Sequence, residues 1–185
     1  MLLGMKSRLW IMAALATSMG ACRSPGFDAS ARPGGQQTTL QAAALESAAT
    51  TASRVEGLHA VRSSNDFATT VQRARAAIES RGLGIMAEVD HAANARRVDM
   101  QLPPTTLLLF GNPEVGTQLM QARRTIAIDL PLSLLVWEDD DGNVCVAYDD
   151  PAWLAERHAL RGREGVVTKM RTVLHEIAAE ATSSG

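Results

Sequence analysis

Cysteine is nearly absent from this 185-residue chain. Only Cys22 and Cys145 occur, too few for a disulfide framework. Basic charge is not in excess either. Eighteen Lys and Arg against 20 Asp and Glu leave a net charge of −2, which excludes the electrostatic footprint of a nucleic-acid-binding surface. There is no GxSxG nucleophile elbow and no CxxC pair, so the commonest hydrolase and thiol-redox signatures are missing. What is present is ordinary: 46% of residues are hydrophobic, too many for a disordered chain, and the length suits one domain of about 100–200 residues with something attached.

The first attachment is a leader. Residues 1–8 carry Lys6 and Arg8 and no acid, residues 9–16 (Leu-Trp-Ile-Met-Ala-Ala-Leu-Ala) are an unbroken apolar run, and small residues follow up to Cys22. That is the order of a secretory signal peptide, here assigned to residues 1–21. The run is far shorter than the roughly 20 apolar residues of a membrane-spanning helix. Met19-Gly20-Ala21-Cys22 resembles a bacterial lipobox, with Met19 in the place of the usual leucine. Lipidation of Cys22 is the favoured reading, and an ordinary export signal cut nearby is the other. Loss of Lys6 and Arg8 with the leader would leave the mature chain at −4. Arg23 stands where an inner-membrane retention signal has Asp, so the expected destination is the periplasm, with a lipid anchor in the outer membrane.

Residues 22–53 form the second attachment. From 23 to 53, every position other than Arg23, Phe27, Asp28, Arg32, Leu40, Leu45 and Glu46 is Ser, Thr, Ala, Gly, Pro or Gln. Such a stretch buries too little to offset its ordering entropy and reads as a tether.

A single domain is expected over residues 54–182. Residues 57–62 read as a strand. Ser63-Ser64-Asn65-Asp66 offers helix caps, and Phe67, Val71, Ala74 and Ile78 recur on one helical face that Gly82 closes. Residues 84–91 alternate as a strand, with Ile85, Ala87 and Val89 on one side. Thr105 to Phe110 reads as a further strand. Asn112-Pro113-Glu114 joins a cap, Pro at the first helical position and an acid in the first turn, opening a helix that ends by Ala122. Residues 132–138 and 143–149 form a hairpin around Asp139-Asp140-Asp141-Gly142. Asp150-Pro151 opens a short helix through His158, and Val166, Met170, Val173, Leu174, Ile177 and Ala181 stripe a last helix. The order predicts an α+β fold, a two-layer sandwich with a mainly antiparallel sheet and helices on one face. Ile85, Val89, Leu107, Leu109, Val136 and Val146 are its expected core, packed by Val71, Ile78, Met170 and Ile177.

Several motifs fail. Gly82-Leu83-Gly84-Ile85-Met86-Ala87 copies a dinucleotide fingerprint, but it follows a helix and opens a strand. The acidic turn lacks the first Asp and last Glu of a calcium loop. His175-Glu176 has Ala179 where a zinc motif needs its second His. No cofactor and no metal site is expected. Cys145, in mid-strand, reads as an inert buried thiol. What survives is a loose polar group at strand ends: Asp90, His91, Asn94, Asn112, Glu138 and Tyr148. Strand ends aim side chains at shared rims, and a carboxylate beside an imidazole can run acid–base chemistry. Structural roles weigh more: Asn112 caps a helix, Glu138 precedes a turn and His91 sits in a loop.

Glu88-Val-Asp-His-Ala-Ala-Asn-Ala, the run from Leu102 to Gln121 around Phe-Gly-Asn-Pro-Glu, Asp129-Leu-Pro-Leu, Val136-Trp-Glu-Asp and Tyr148-Asp-Asp-Pro-Ala-Trp-Leu-Ala-Glu-Arg-His stand in one order. In that order the chain, from about Gly57 to Leu160, resembles the bacterial domain-of-unknown-function 302 family. The resemblance implies a compact sandwich similar to TATA-binding-protein-like folds, without implying DNA binding, and it implies no established activity. Other branches carry Cys before the Asn-Pro and after the later Leu-Pro. Gly111 and Leu132 stand there in this chain, so any thiol or soft-metal role those branches suggest has no support in it.

The expected function is a non-catalytic module of the cell envelope that binds a small molecule or an envelope protein through a rim of Asp90, His91 and Asn112. The alternative is a hydrolase using His91 with Asp90 or Glu138. Nucleic acid is not an expected partner, the membrane is touched only through the lipid anchor, and a homodimer is open.

Overall fold

Every strand pairing in the sheet is antiparallel in the computed structural model, which describes residues 55–184. The expected signal segment, Cys22 and the tether up to residue 53 lie outside the described residues. Strand β1 (Leu58–Arg62) leads to helix α1 (Phe67–Glu79), β2 (Gly84–Asp90), α2 (His91–Arg96) and β3 (Thr105–Gly111). Then come α3 (Pro113–Ala122), a 3-10 turn (Arg124–Asp129), β4 (Leu132–Glu138), β5 (Val144–Asp149), α4 (Pro151–Arg157) and α5 (Glu164–Thr182). The sheet order is β1-β5-β4-β3-β2. Helices α1 and α5 pack on each other and cover one sheet face, which makes the fold the expected α+β sandwich.

Local chemistry explains most boundaries. Asp66 caps α1 by accepting from the Thr69 amide at 2.8 Å, Asn112 caps α3 through the Glu114 amide at 2.8 Å, and Asp150 caps α4 through the Ala152 amide at 2.8 Å. Each such cap is worth about 1 kcal/mol. Pro113 and Pro151 follow their caps at the first helical position, where a missing N–H costs nothing. Gly82 and Gly142 take left-handed φ of 67° and 78° after α1 and at the hairpin tip. At that tip the Asp139 carboxylate accepts from the Asp141 and Asn143 amides at 3.0 and 2.8 Å.

The core sits between α1, α5 and the sheet. Ile78, Leu108, Phe110, Leu134, Val136, Val146 and Ile177 are fully buried there. Val136, Val146, Val71, Ile78, Met170 and Ile177 are buried as expected. Four expected core positions are corrected: Leu107, Leu109, Ile85 and Val89 are only half-buried. The register sets Thr106 opposite Val136 and Leu108 opposite Leu134. Thr106, Leu108 and Phe110 therefore face the helices, and Leu107 and Leu109 lie on the other face. A second correction concerns β2. Its pairing slips between Ile85 and Ala87, so Ile85 opposes Phe110 while Ala87 opposes Leu109, and the two lie on opposite faces. A bulge of this kind bends the strand and leaves one residue unpaired, here Met86. Asp90 then caps α2 through the Ala93 amide at 2.7 Å, which puts His91 in a helix and not in the loop expected for it.

Candidate functional site

Because Asn112-Pro113 starts a helix directly after β3, α3 leaves the end of the sheet and packs beside the 3-10 turn. Leu119, Ile126, Leu160 and Met170 form a second, smaller core there. Between this cluster and the sheet end lies a cavity of about 510 Å³, within the size range of small-molecule sites. Met86, turned out of the ladder by the bulge, forms part of its wall with Leu83, Val115, Met120, Leu130 and Val173. Asn112, Thr117, Gln118 and Lys169 supply its polar lining groups, and among the described residues no carboxylate lines it.

Two glycines border the cavity. Gly116 lies inside α3, where glycine is about 0.5–1 kcal/mol less favourable than alanine. A Cβ there would stand 3.9 Å from Leu130 Cδ1 and 4.0 Å from Met120 Cε, ordinary contact distances. At Gly111 the nearest atoms would be Pro131 Cβ at 3.8 Å and Met86 Cε at 3.9 Å. Neither crowding nor a left-handed backbone requires glycine at these positions. Their effect is to leave space open.

The polar residues expected to form a rim are not brought together. Asp90, His91 and Asn94 share the single short helix α2, where Asp90 is the cap and the Asn94 side-chain Oδ1 accepts from Arg97 Nη1 at 3.4 Å. Asp90 pairs with Thr106 while Gly84 pairs with Gly111, so Asn112 lies beyond the opposite end of β3, about 20 Å away along the strand. Glu138 is at the Asp90 end, but β3 separates β2 from β4, a span of roughly 10 Å across the sheet. Tyr148 is buried in β5, two strands from β3 and level with the middle of that strand, its ring stacked 5.4 Å from that of His59. The expected convergence of Asp90-His91 with Asn112 is therefore corrected, and Asn112 alone of the six borders the cavity. Among the described residues no group of three or more His, Cys, Asp or Glu is placed to hold a metal.

One constellation escaped the sequence reading. His158 is buried at the end of α4, with Nε2 2.6 Å from Asp129 Oδ2 and Nδ1 3.1 Å from Thr125 Oγ1. Arg157 adds a second contact to Asp129 at 3.4 Å. A hydroxyl, an imidazole and a carboxylate in line are the parts of a nucleophile relay. Here they clamp the 3-10 turn to α4, and neither Thr125 nor His158 borders the large cavity. Asp129 and His158 lie 29 residues apart in the chain, and no local spacing signals the contact.

Nearby charges follow from packing. Burial, then repulsion from Asp129, pushes the Asp149 carboxyl above its ordinary value against the pull of Arg157. Burial alone would raise Asp150 as well, but the Ala152 amide, His59 and Arg171 outweigh it and hold that carboxyl low. Burial also raises the Cys145 thiol, with Asp139 adding to the shift and Arg62 opposing it. A buried thiol held protonated is a poor nucleophile.

Comparison with known proteins places this geometry. The sequence pattern described as "Domain of unknown function DUF302" matches residues 59–177. Two relatives, from Brucella suis and Brucella melitensis, are each 48% identical over 104 residues, 56% of this chain, and both are named fluoride-specific ion channels. The match covers 41% and 38% of those proteins, so this chain spans well under half their length. A crystal structure of an uncharacterised conserved protein with this domain, from Bacillus stearothermophilus, superposes with a TM-score of 0.63 at 14% identity, covering 69% of this chain and 99% of that one.

Proposed function

The chain belongs to the DUF302 family, and from that premise we propose that it is a non-catalytic, exported cell-envelope module that holds a small apolar ligand. The observation that carries the reading is the cavity between α3, the 3-10 turn and α5, with its largely apolar wall and two glycines that keep it open. Against the alternative of a hydrolase using His91 with Asp90 or Glu138 stand two observations: β3 separates Glu138 on β4 from β2, which leads into the helix of His91, and the Asp90 carboxylate is engaged as the cap of that helix, whereas a base and its orienting carboxylate must lie within hydrogen-bond reach. The rim of Asp90, His91 and Asn112 gives way to the cavity as the binding surface.

Export rests on the leader and on Cys22. The likeness to proteins named as ion channels supports a place at a membrane, and we take the shared stretch as a shared domain, not as a shared transport activity. Among the described residues no helix is long and apolar enough to cross a bilayer.

Two measurements test this. Full-length protein should enhance the fluorescence of the neutral apolar dye N-phenyl-1-naphthylamine. Gly116→Leu, which projects a side chain into the cavity, should weaken dye binding about tenfold or more while leaving the fold intact by circular dichroism. Equal binding by both proteins would count against the cavity. Cell fractionation should find the protein in the envelope and Cys22→Ala released from the membrane fraction. An uncleaved chain in the cytosol would overturn export.

A further inference from the structure

Resting on that cavity reading, we propose that the ligand is a single-chain amphiphile with an anionic head, of the fatty-carboxylate class, its chain in the cavity and its head at Lys169. Charge decides the head. Among the described residues Lys169 is the one ionisable side chain that borders the cavity, it is exposed on α5, and it makes no ion pair. It is also the one lysine beyond the leader; every other basic residue from Arg23 on is arginine. A lysine lays its aliphatic stem along apolar surface and carries its ammonium to the mouth of a site, which suits a head left at the rim while a chain goes in. Among the described residues no carboxylate borders the cavity to repel an anion or to attract a cationic head.

The wall decides the chain. Met86, Met120 and Met170 line the cavity, and unbranched, polarisable side chains adapt to a flexible ligand better than branched ones do. Gly111 and Gly116 leave room that a Cβ would take, without any backbone need for glycine. A slender chain uses such space end to end, whereas a polar metabolite would find too few partners among Asn112, Thr117 and Gln118 to replace its hydration.

The test is calorimetric titration of the full-length protein with dodecanoate and dodecyltrimethylammonium, both below their micelle concentrations, and with dodecanol below its solubility limit. Dodecanoate should bind about tenfold or more tighter than dodecanol, and the cation should bind weakest. From octanoate to dodecanoate each methylene should tighten binding about two- to fourfold. Lys169→Gln should abolish the preference for dodecanoate over dodecanol while keeping dodecanol affinity. Gly116→Leu should weaken both ligands, with a melting temperature equal to or above that of the parent. If dodecanol binds as tightly as dodecanoate, and Gly116→Leu removes both, the anionic head is wrong while the cavity stands. If binding ignores Gly116→Leu, both readings fall together.

Discussion

Leu108→Ala is expected to lower stability by about 2–5 kcal/mol, a fall of roughly 7–18 °C in melting temperature for a domain of this size. Leu108 is fully buried under α1 and α5 and opposes Leu134, so truncation leaves a cavity that rigid neighbours cannot collapse. Leu109, one residue on, faces away and is half-buried. The same truncation there should cost a fraction as much. Denaturant titration of the two variants gives the comparison directly, and an equal or larger loss for Leu109→Ala would mean that the faces of β3 are inverted.

Gly57→Ala should be nearly as damaging for a different reason. Gly57 holds φ +79°, and a Cβ built on it would lie 2.3 to 2.8 Å from ring carbons of Trp153. Left-handed backbone costs an L-residue about 1–2 kcal/mol, and overpacking adds about 1–3 kcal/mol. The Gly57 carbonyl also accepts from the Asp150 amide at 2.7 Å, so a shift there disturbs the cap of α4. A total of about 2–5 kcal/mol follows. Placing Gly57→Ala in a Trp153→Ala background should recover the clash but not the backbone cost, with a coupling of about 1–3 kcal/mol. Additive losses would mean that the ring does not sit over Gly57.

The fold was legible where short-range chemistry decides. Asp66, Asn112-Pro113 and Asp150-Pro151 start helices through contacts made within three residues, and the tight turn from Asp139 to Gly142 closes its own hairpin. The phase of β3 was not legible. Leu107, Leu108 and Leu109 are chemically identical, and only the alignment with β4 decides which of them looks inward. The bulge at Met86 was hidden for the same reason: alternation through Ile85, Ala87 and Val89 looks regular until a partner strand refuses one residue.

The candidate site was less legible still. Polar residues at strand ends attract notice because strand ends can converge, yet Asp90 and Asn112 lie at opposite poles of the sheet. The cavity wall is made of methionines, leucines and valines that read as ordinary core in a linear chain. Gly116 inside the Asn112-capped helix was the one local oddity that pointed there, a residue that weakens its helix without serving a turn.

The position of β1 carries a mechanical consequence. It is an edge strand whose sheet partner, β5, arrives about ninety residues later in the chain. Strands β2 to β5 pair with chain neighbours and can zip as they leave the ribosome, whereas β1 emerges first and must wait for the last strand, closing the longest loop in the sheet. The chain before residue 55 is covalently continuous with this strand. A pull on the amino-terminal side therefore loads the β1–β5 hydrogen bonds before it reaches the rest of the sheet, and the strand nearest the expected anchor is both the last to be seated and the first to yield.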